Sequence, residues 1–411
     1  MSIFILFSAL ISLAAIFSYI NVRWLHFPSG IALMLMSALL SIGLVSIGGA
    51  SQQFAVYIRE QLSTINFSEF ILGILLSFLL FAGSLHVSYD QLKKSALSII
   101  TFSTVGVLIS TFLVGAGSFF LFKLFGINIS FIYCLLFGAL ISPTDPIAVL
   151  GILKKAGISK SIEIKITGES LFNDGVGVVV FATILQIILQ GSDQASVGSV
   201  LTLFAREAFG GIIAGLIIGY IGYRFMKSID HFQTEILISL AMVMGGYTLC
   251  HYLHISGPLA MVVAGIFTGY KGLPEAMSDN TRDYLEKFWQ VTDDILNSVL
   301  FLLIGLQLIT ITFHFYNIII GLIVSISLIL IRYLSLWIPA KIFRFKNSLE
   351  NKTLEIMAWG GLRGGISIAL ALSMPPGEFK DTLVLVTYIV VLFSILVQGM
   401  TMEKFVRKLQ K

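Results

Sequence analysis

The stretch Ser142-Pro143-Thr144-Asp145-Pro146 places a carboxylate between two prolines, in the middle of an apolar run from Phe131 to Leu153. That run is long enough to cross a membrane as a helix. Each proline removes an amide donor and disfavours the α conformation in the residue before it, so the helix must break here. Charge and irregular backbone are tolerated at membrane depth only where protein or a water-filled cavity supplies hydrogen bonds. The stretch therefore predicts a polar cavity inside a membrane protein.

The composition of the whole chain points to the same class. Of the 411 residues 57% are hydrophobic and only 12% are charged, which is typical of a polytopic membrane protein. Apolar runs of roughly 17 to 25 residues predict helices that cross the membrane. Thirteen such spans are predicted, at 3–20, 30–48, 67–86, 97–121, 131–153, 167–190, 207–223, 233–253, 256–270, 291–313, 317–340, 353–373 and 381–403. The fold class is therefore all-α and polytopic.

The distribution of basic residues tests this count and orients the chain. Twenty of the 26 Lys and Arg residues fall in the loops after odd-numbered spans or at the C-terminus, four fall on the opposite side, and two, Arg332 and Arg363, fall inside spans. Under the positive-inside rule this bias predicts a cytoplasmic C-terminus and an N-terminus outside. The net charge of +4 is spread over loops, so we expect no nucleic-acid partner.

A second intramembrane carboxylate, Asp174, lies in the sixth span. Asp145 precedes Lys154 by nine residues and Asp174 follows Lys165 by nine, so both lie about 13 Å from the cytoplasmic lysines, near the middle of an apolar layer of about 30 Å. Spacings of four place Glu169 with Asn173, and Ser170 with Asp174, on one helix face. The two carboxylates can therefore share one site, and Thr144 and Asp145, with carbonyl groups freed by the prolines, can ligate a monovalent cation there.

Structural alternatives to an ion site exist for each polar group. Asp145 can serve as the N-cap of a half-helix that starts at Pro146. Asp174 can pair with Arg332 or Arg363, and Asn173 can make an interhelical hydrogen bond. Glu169 is better explained as the partner of a buried arginine than as a ligand, because an unpaired guanidinium at that depth is costly.

A second broken span carries Arg363 among four glycines, in Trp359-Gly360-Gly361-Leu362-Arg363-Gly364-Gly365. The glycine spacing alone also fits tight helix packing. If spans 1–6 and 8–13 are inverted repeats joined by the seventh, the twelfth span corresponds to the fifth. Two interrupted helices in equivalent positions indicate a secondary transporter with its site near the midplane. We therefore expect this second broken segment to lie near that site.

Four segments carry a family resemblance that spans nearly the whole chain. They are Thr144-Asp145-Pro146-Ile147-Ala148-Val149, Gly168-Glu169-Ser170-Leu171-Phe172-Asn173-Asp174-Gly175, Ser256-Gly257-Pro258-Leu259-Ala260 and Trp359-Gly360-Gly361-Leu362-Arg363-Gly364. In this order they resemble the monovalent cation:proton antiporter-1 family, the NhaP/NHE-type sodium/proton exchangers. The resemblance implies a transporter of the bacterial inner membrane that is no enzyme and needs no cofactor, with Na⁺ and H⁺ as substrates and K⁺ or Li⁺ as alternative cations.

The resemblance also implies domains and roles. Residues 1–90 and 192–315 would form a dimerisation domain, with the seventh span as a linker, and a homodimer in membrane lipid. Residues 91–191 and 316–411 would form a six-helix core with a short cytoplasmic tail. In this core the interrupted fifth and twelfth spans would cross, with Gly361, Arg363 and Gly364 at the crossover. Asp174 would be the main cation and proton carboxylate, assisted by Asp145, Thr144 and Ser170, with Asn173 orienting the site.

Two further implications concern the ion pair and the ion. Glu169 would pair with Arg332 of the eleventh span, although counting from Lys165 and Lys341 gives the two residues a depth difference of about 7 Å, which leaves Arg363 as an alternative. Ala82 replaces a glutamate that is common in relatives, which leaves the ion open between sodium and potassium.

Competition for one negative site would couple the flux of the cation to the flux of protons. Either ion neutralises the core, and the charged core without a bound ion cannot cross the membrane. The resemblance implies electroneutral exchange of one cation per proton. A cation channel is the other transport class, but a single midplane cluster offers no continuous polar pathway. An intramembrane enzyme such as a prenyltransferase would need further acids near Asn173 and Asp174, and the sequence offers none there.

Overall fold

A computed structural model describes residues 3–46, 73, 75–145, 150–151, 153, 156–190, 197–310, 315–343 and 351–409. The described chain is nearly all helical and contains no β-strand. Its helices are α1 (Ile3–Ile20), α2 (Ser29–Ser46), α3 (Leu76–Leu85), α4 (Tyr89–Leu124), α5 (Phe131–Ile141), α6 (Lys160–Gln190), α7 (Val197–Met226), α8 (Phe232–Tyr252), α9 (Gly257–Phe267), α10 (Asp279–Leu306), α11 (Phe315–Phe343), α12 (Asn351–Trp359), α13 (Gly365–Ser373) and α14 (Lys380–Leu409).

Every predicted span contains one of these helices, and α12 and α13 are the two halves of the twelfth. Among the described residues, eight helices are long and apolar enough to cross a membrane, and shorter apolar helices accompany them. The all-α polytopic fold is therefore confirmed. The predicted start of a half-helix at Pro146 lies outside the described residues, while Leu150, Gly151 and Leu153 are helical.

Several helices begin well before the apolar run that revealed them. The fourth begins at Tyr89 rather than residue 97, the seventh at Val197 rather than 207, and the tenth at Asp279 rather than 291. Hydropathy marks only the stretch that faces lipid or core, whereas amphipathic turns continue the hydrogen-bonded helix beyond it. Ser278 shows this at α10, where its hydroxyl accepts from the Thr281 amide as an N-cap.

The helices pack in two sets. In the first set α2 packs along α10, and α9 packs along both α3 and α7. In the second set α5 packs between α4 and α6, and α14 packs along α11 and α13. The sets meet where α10 contacts α13, and where α3 and α9 contact α6. These contacts are consistent with a division into two domains, which stays a prediction.

Candidate ion-binding site

The two interrupted spans cross at the centre of the second helix set. α5 ends at Ile141, and residues 142–145 continue as irregular chain, as do residues 361–364 between α12 and α13. The two irregular segments are joined directly, because the amide of Asp145 donates a 2.8 Å hydrogen bond to the carbonyl of Leu362. A backbone amide of one broken helix therefore satisfies a backbone carbonyl of the other, as membrane depth requires.

Arg363 closes this crossing from the other side. Its side chain is 3% exposed, and Nη1 donates to the carbonyls of Ser142 at 2.5 Å and Pro143 at 3.0 Å. The Ser142 carbonyl is the acceptor that residue 146 would engage in a continuous helix, and Pro146 has no amide hydrogen to donate. The carbonyls that the sequence offered as cation ligands thus serve largely as acceptors for a guanidinium.

The free backbone groups of the twelfth span are satisfied by a π-helical turn, Ser394–Gly399, inside α14. The Ser394 hydroxyl accepts from the Arg363 amide at 2.9 Å and donates to Gln398, whose side-chain amide donates to the Trp359 carbonyl at the end of α12. A π turn widens the helix locally and often marks a functional position. Here it supplies polar partners to both ends of the break.

Two glycines permit the close approach. A β-carbon at Gly364 would lie 2.2 Å from Oδ2 of Asp145, and one at Gly361 would lie 2.8 Å from Nε of Arg332. Both separations are shorter than van der Waals contact, so a side chain at either position would push a charged group away. Gly361, Arg363 and Gly364 therefore lie at the crossing.

The polar face of α6 faces the irregular segment that follows α5. Asn173 Oδ1 accepts from the Thr144 amide at 3.2 Å, and Nδ2 donates to Thr144 Oγ1 at 2.8 Å and to Glu169 Oε1 at 2.9 Å. The Ser170 hydroxyl donates to the Thr144 carbonyl. Thr144 is thus held at three atoms by one helix face, and all four of these side chains are buried.

Glu169 binds Arg332 of α11. Arg332 Nη2 lies 2.5 Å from Glu169 Oε2, and the two side chains are 4% and 2% exposed. Of the two arginines that the sequence left open, the structure places Arg332 on this carboxylate, while Arg363 binds carbonyls. The pair is a buried, hydrogen-bonded ion pair, and its loss would leave a charge without compensation.

Asp174 and Asp145 line a cavity of about 400 Å³ between the two helix sets. Asp174 is 8% exposed, and its Oδ1 has no hydrogen-bond partner among the described residues. The cavity extends from these carboxylates to His86, which follows α3, and to Glu163 in the first turn of α6. These two residues lie on the side that carries most of the basic loops.

The cavity separates the predicted ligands into two groups. Ser170 lines it together with Asp145 and Asp174, whereas Thr144 and Asn173 lie behind it in the hydrogen-bond network. The structure also brings Asp293 and Asn297 of α10 to the cavity wall, and neither was predicted at the site from the sequence. The sequence pattern that could have indicated them is an acid and an amide four residues apart, and so on one face, in a membrane helix.

Comparison with known proteins gives a family match along most of the chain. The family model described as sodium/hydrogen exchanger, transmembrane, matches residues 10–408. The chain is 44% identical to the Na(+)/H(+) antiporter NhaP of Pseudomonas aeruginosa, over 98% of this chain and 96% of that protein. It is 32% identical to the Na(+)/H(+) antiporter NhaH of Halobacillus aidingensis, over 93% and 92% of the two chains.

A solved structure shows the same fold. The sodium proton antiporter MjNhaP1 from Methanocaldococcus jannaschii, determined at pH 8, matches with a TM-score of 0.78 at 22% identity. The match covers 98% of this chain and 97% of that one.

Proposed function

The chain belongs to the sodium/hydrogen exchanger family, and on that premise we propose that it exchanges Na⁺ for H⁺ across a membrane. The two ions bind alternately at Asp174 and Asp145, and access to this site alternates between the two sides. The observation that carries the proposal is the position of both carboxylates on a cavity wall, at the crossing of two interrupted helices. Crossed broken helices with a midplane site are typical of secondary transporters.

The oxygen atoms at the cavity suit a hard cation. Asp145, Asp174 and Ser170 offer carboxylate and hydroxyl oxygens to the cavity, and hard cations prefer such ligands. The Oδ1 atom of Asp174 has no protein donor among the described residues, so it is available to a cation or a proton. Thr144, held by Asn173 and Ser170, positions Asp145 from behind.

Competition between the ions follows from charge. Two carboxylates on one wall repel each other, and a single positive charge relieves that repulsion whether it is a proton or Na⁺. When one ion is bound, the binding free energy of the other ion is less favourable. The site therefore carries one ion at a time, and each ion must leave before the other binds.

The charges around the crossing support an exchange of one cation for one proton. Glu169 and Arg332 neutralise each other, and Arg363 offsets one of the two carboxylates, Asp145 and Asp174. One negative charge remains, so a single bound Na⁺ or a single proton brings the core to neutrality. A neutral core crosses the apolar layer at lower free energy than a charged one, which favours electroneutral transport.

Alternating access would use the seam between the two helix sets. Across the cavity Leu76, Leu80 and Leu300 face Leu171 and Ile366, and apolar side chains can slide past one another without breaking hydrogen bonds. We infer that the cavity faces the cytoplasm here, because it extends to the side of the basic loops. The cytoplasmic C-terminus, the outside N-terminus, the bacterial inner membrane, the two-domain division and the homodimer belong to the same proposal.

A K⁺/H⁺ antiporter of the same fold is the second candidate. Ala82 is buried and supplies no oxygen to the site from the third span. A site with fewer charged ligands discriminates less strongly in favour of the smaller cation.

The test uses purified protein in proteoliposomes with an acidic interior and a fluorescent pH reporter. We expect external Na⁺ to dissipate the pH gradient, and the same protein with Asp174→Asn to leave the gradient intact. Li⁺ and K⁺ added in parallel identify the ion, and a faster response to K⁺ than to Na⁺ would establish the second candidate. Clamping the membrane potential at zero should leave the rate unchanged if exchange is electroneutral. A gradient that persists with all three cations would refute antiport.

A further inference from the structure

One face of helix α10 carries a stripe of side chains that is polar at one end and apolar at the other. Its polar end lines the same cavity as Asp145 and Asp174. Asp293, Asn297, Leu300 and Ile304 are separated by four, three and four residues, so they lie on one helix face. A β-carbon at Gly365 would lie 2.8 Å from Leu300 Cδ2 and 2.9 Å from Ile304 Cδ1. The apolar end of the stripe therefore packs against the start of α13, and its polar end continues along the cavity wall.

The polar end of the stripe contains oxygen atoms suited to a cation. Asn297 is 8% exposed and lines the cavity, and its Oδ1 has no hydrogen-bond partner among the described residues. Asp293, one turn earlier on α10, also lines the cavity. Leaving a buried carbonyl oxygen without a donor costs about 1–3 kcal/mol, and a cation or its hydration water removes that cost.

The electrostatic setting favours a cation at the same place. The ionisable residues that line the cavity are Asp145, Glu163, Asp174, Asp293 and His86, and no Lys or Arg appears among its described lining. Asp145 and Asp293 both line this cavity, and their charges are close enough to interact. A cleft lined by one sign of charge raises the local concentration of the opposite ion.

We propose that Asp293 and Asn297 form a recruiting site that holds the transported cation before it reaches Asp174 and Asp145. The inference rests on the proposed antiport and adds a step to it. Asp293 supplies charge and Asn297 supplies a neutral oxygen, from a helix that belongs to the opposite set from α6. Seven residues separate Asp293 from Leu300, about 10 Å along the helix, so the ion would be held toward the mouth of the cavity.

This role predicts a specific kinetic pattern. Removing the Asp293 charge should weaken binding of any monovalent cation, and a proton carries the same charge as Na⁺. At alkaline pH, where protons compete little, the apparent KM for Na⁺ should therefore rise by about threefold to tenfold in Asp293→Asn. The proton concentration that half-inhibits uptake should rise by a similar factor. The maximal rate at saturating Na⁺ should stay close to the wild-type value, because the carboxylates at the crossing are intact.

The experiment measures initial rates over a Na⁺ series at several pH values in proteoliposomes. It compares wild type with Asp293→Asn, Asp293→Glu, Asn297→Leu and the matched control Asp294→Asn, which removes the same charge from the exposed neighbour. We expect Asp293→Asn and Asn297→Leu to raise the KM, Asp293→Glu to restore it, and Asp294→Asn to resemble wild type.

The outcomes separate this inference from the proposed function. Wild-type protein without exchange would refute antiport itself. Wild-type exchange with an unchanged KM in Asp293→Asn would overturn the recruiting site alone. Equal shifts in Asp293→Asn and Asp294→Asn would also overturn it, because they would show a general surface-charge effect. A lower maximal rate with unchanged KM would assign Asp293 a structural role and exclude recruitment.

Discussion

The fifth span is broken by prolines and carries a carboxylate, whereas the twelfth is broken by glycines and carries a guanidinium. The proline break removes donors and leaves carbonyl acceptors, at Ser142 and Pro143, and Arg363 supplies the donors that these acceptors need. The glycine break removes side chains, and the carboxylate of Asp145 occupies the space beside Gly364. The twelfth span therefore provides the hydrogen-bond donors that the fifth lacks, and the fifth provides the side chain that fills the space beside the glycines of the twelfth. Neither segment would be stable at membrane depth alone.

The comparison also separates transport chemistry from structural support. The fifth span presents Asp145 to the cavity, while the arginine of the twelfth span is turned away from it toward the backbone. Changes on the carboxylate side should therefore abolish transport in a folded protein. Changes on the arginine and glycine side should act through stability and position.

The largest effect is expected from the carboxylates. Asp174→Asn and Asp145→Asn should each reduce Na⁺-driven proton flux to the level of empty liposomes, because the neutral amide removes the charge the cation needs at nearly constant volume. Asp381→Asn, an exposed acid at the start of α14, serves as the control. Wild-type rates in an Asp174→Asn protein that elutes as folded would refute the assignment.

The next effect concerns the ion pair behind the site. Glu169→Gln or Arg332→Gln leaves one buried charge uncompensated, so we expect a loss of about 3–5 kcal/mol in the free energy of unfolding. The exposed pair Lys287–Asp283, with side chains 68% and 58% exposed, is the control, and Lys287→Gln should melt close to the wild-type temperature. Thermal melting of detergent-purified protein measures the difference. Equal melting of all three variants would contradict a structural role.

A smaller effect tests the close approach at the crossing. Gly364→Ala places a β-carbon 2.2 Å from Asp145 Oδ2 and must displace that carboxylate. We expect the exchange rate to fall about 100-fold, as is usual when a reacting group moves by about 1 Å. Gly377→Ala, where a β-carbon would meet no atom within 4 Å, should leave the rate unchanged. A normal rate in Gly364→Ala would mean that Asp145 tolerates displacement.

The smallest expected effect is the change of the apparent KM for Na⁺ with pH. If protons and Na⁺ compete for the same carboxylates, lowering the pH raises proton occupancy, and more Na⁺ is needed to displace it. The apparent KM for Na⁺ should rise by about threefold to tenfold per pH unit lowered, with a smaller change in maximal rate. Initial rates over a Na⁺ series test this. A constant KM with a pH-dependent maximal rate would indicate a separate proton path.

Much of the fold could be predicted from the sequence because the membrane imposes length and polarity on every helix. The all-α polytopic fold, the breaks in the fifth and twelfth spans and the family were confirmed. Helix ends were less accurate, since the polar first turns of α4 and α10 carry no hydropathy signal.

The arrangement of the site was only partly accessible. Counting residues from Lys165 and Lys341 gave Glu169 and Arg332 different depths, yet the side chains meet. Counting assumes that helices stand upright and that lysines mark one plane, and neither assumption allows for tilt or for the reach of an arginine. The acceptors of Arg363 are backbone carbonyls, which leave no mark in side-chain identity. Asp293 was missed because the carboxylates that share its cavity, Asp145 and Asp174, lie in spans far from it in the sequence.

The Glu169–Arg332 pair has a consequence for the synthesis of the protein. The two residues are 163 positions apart in the chain, so at about 5–20 residues per second Glu169 is made about 10–30 s before its partner. During that interval the nascent helix carries a carboxylate without its cation. We expect the sixth span to remain in a hydrated region of the insertion machinery until the eleventh span arrives, so that assembly of the core is late and post-insertional.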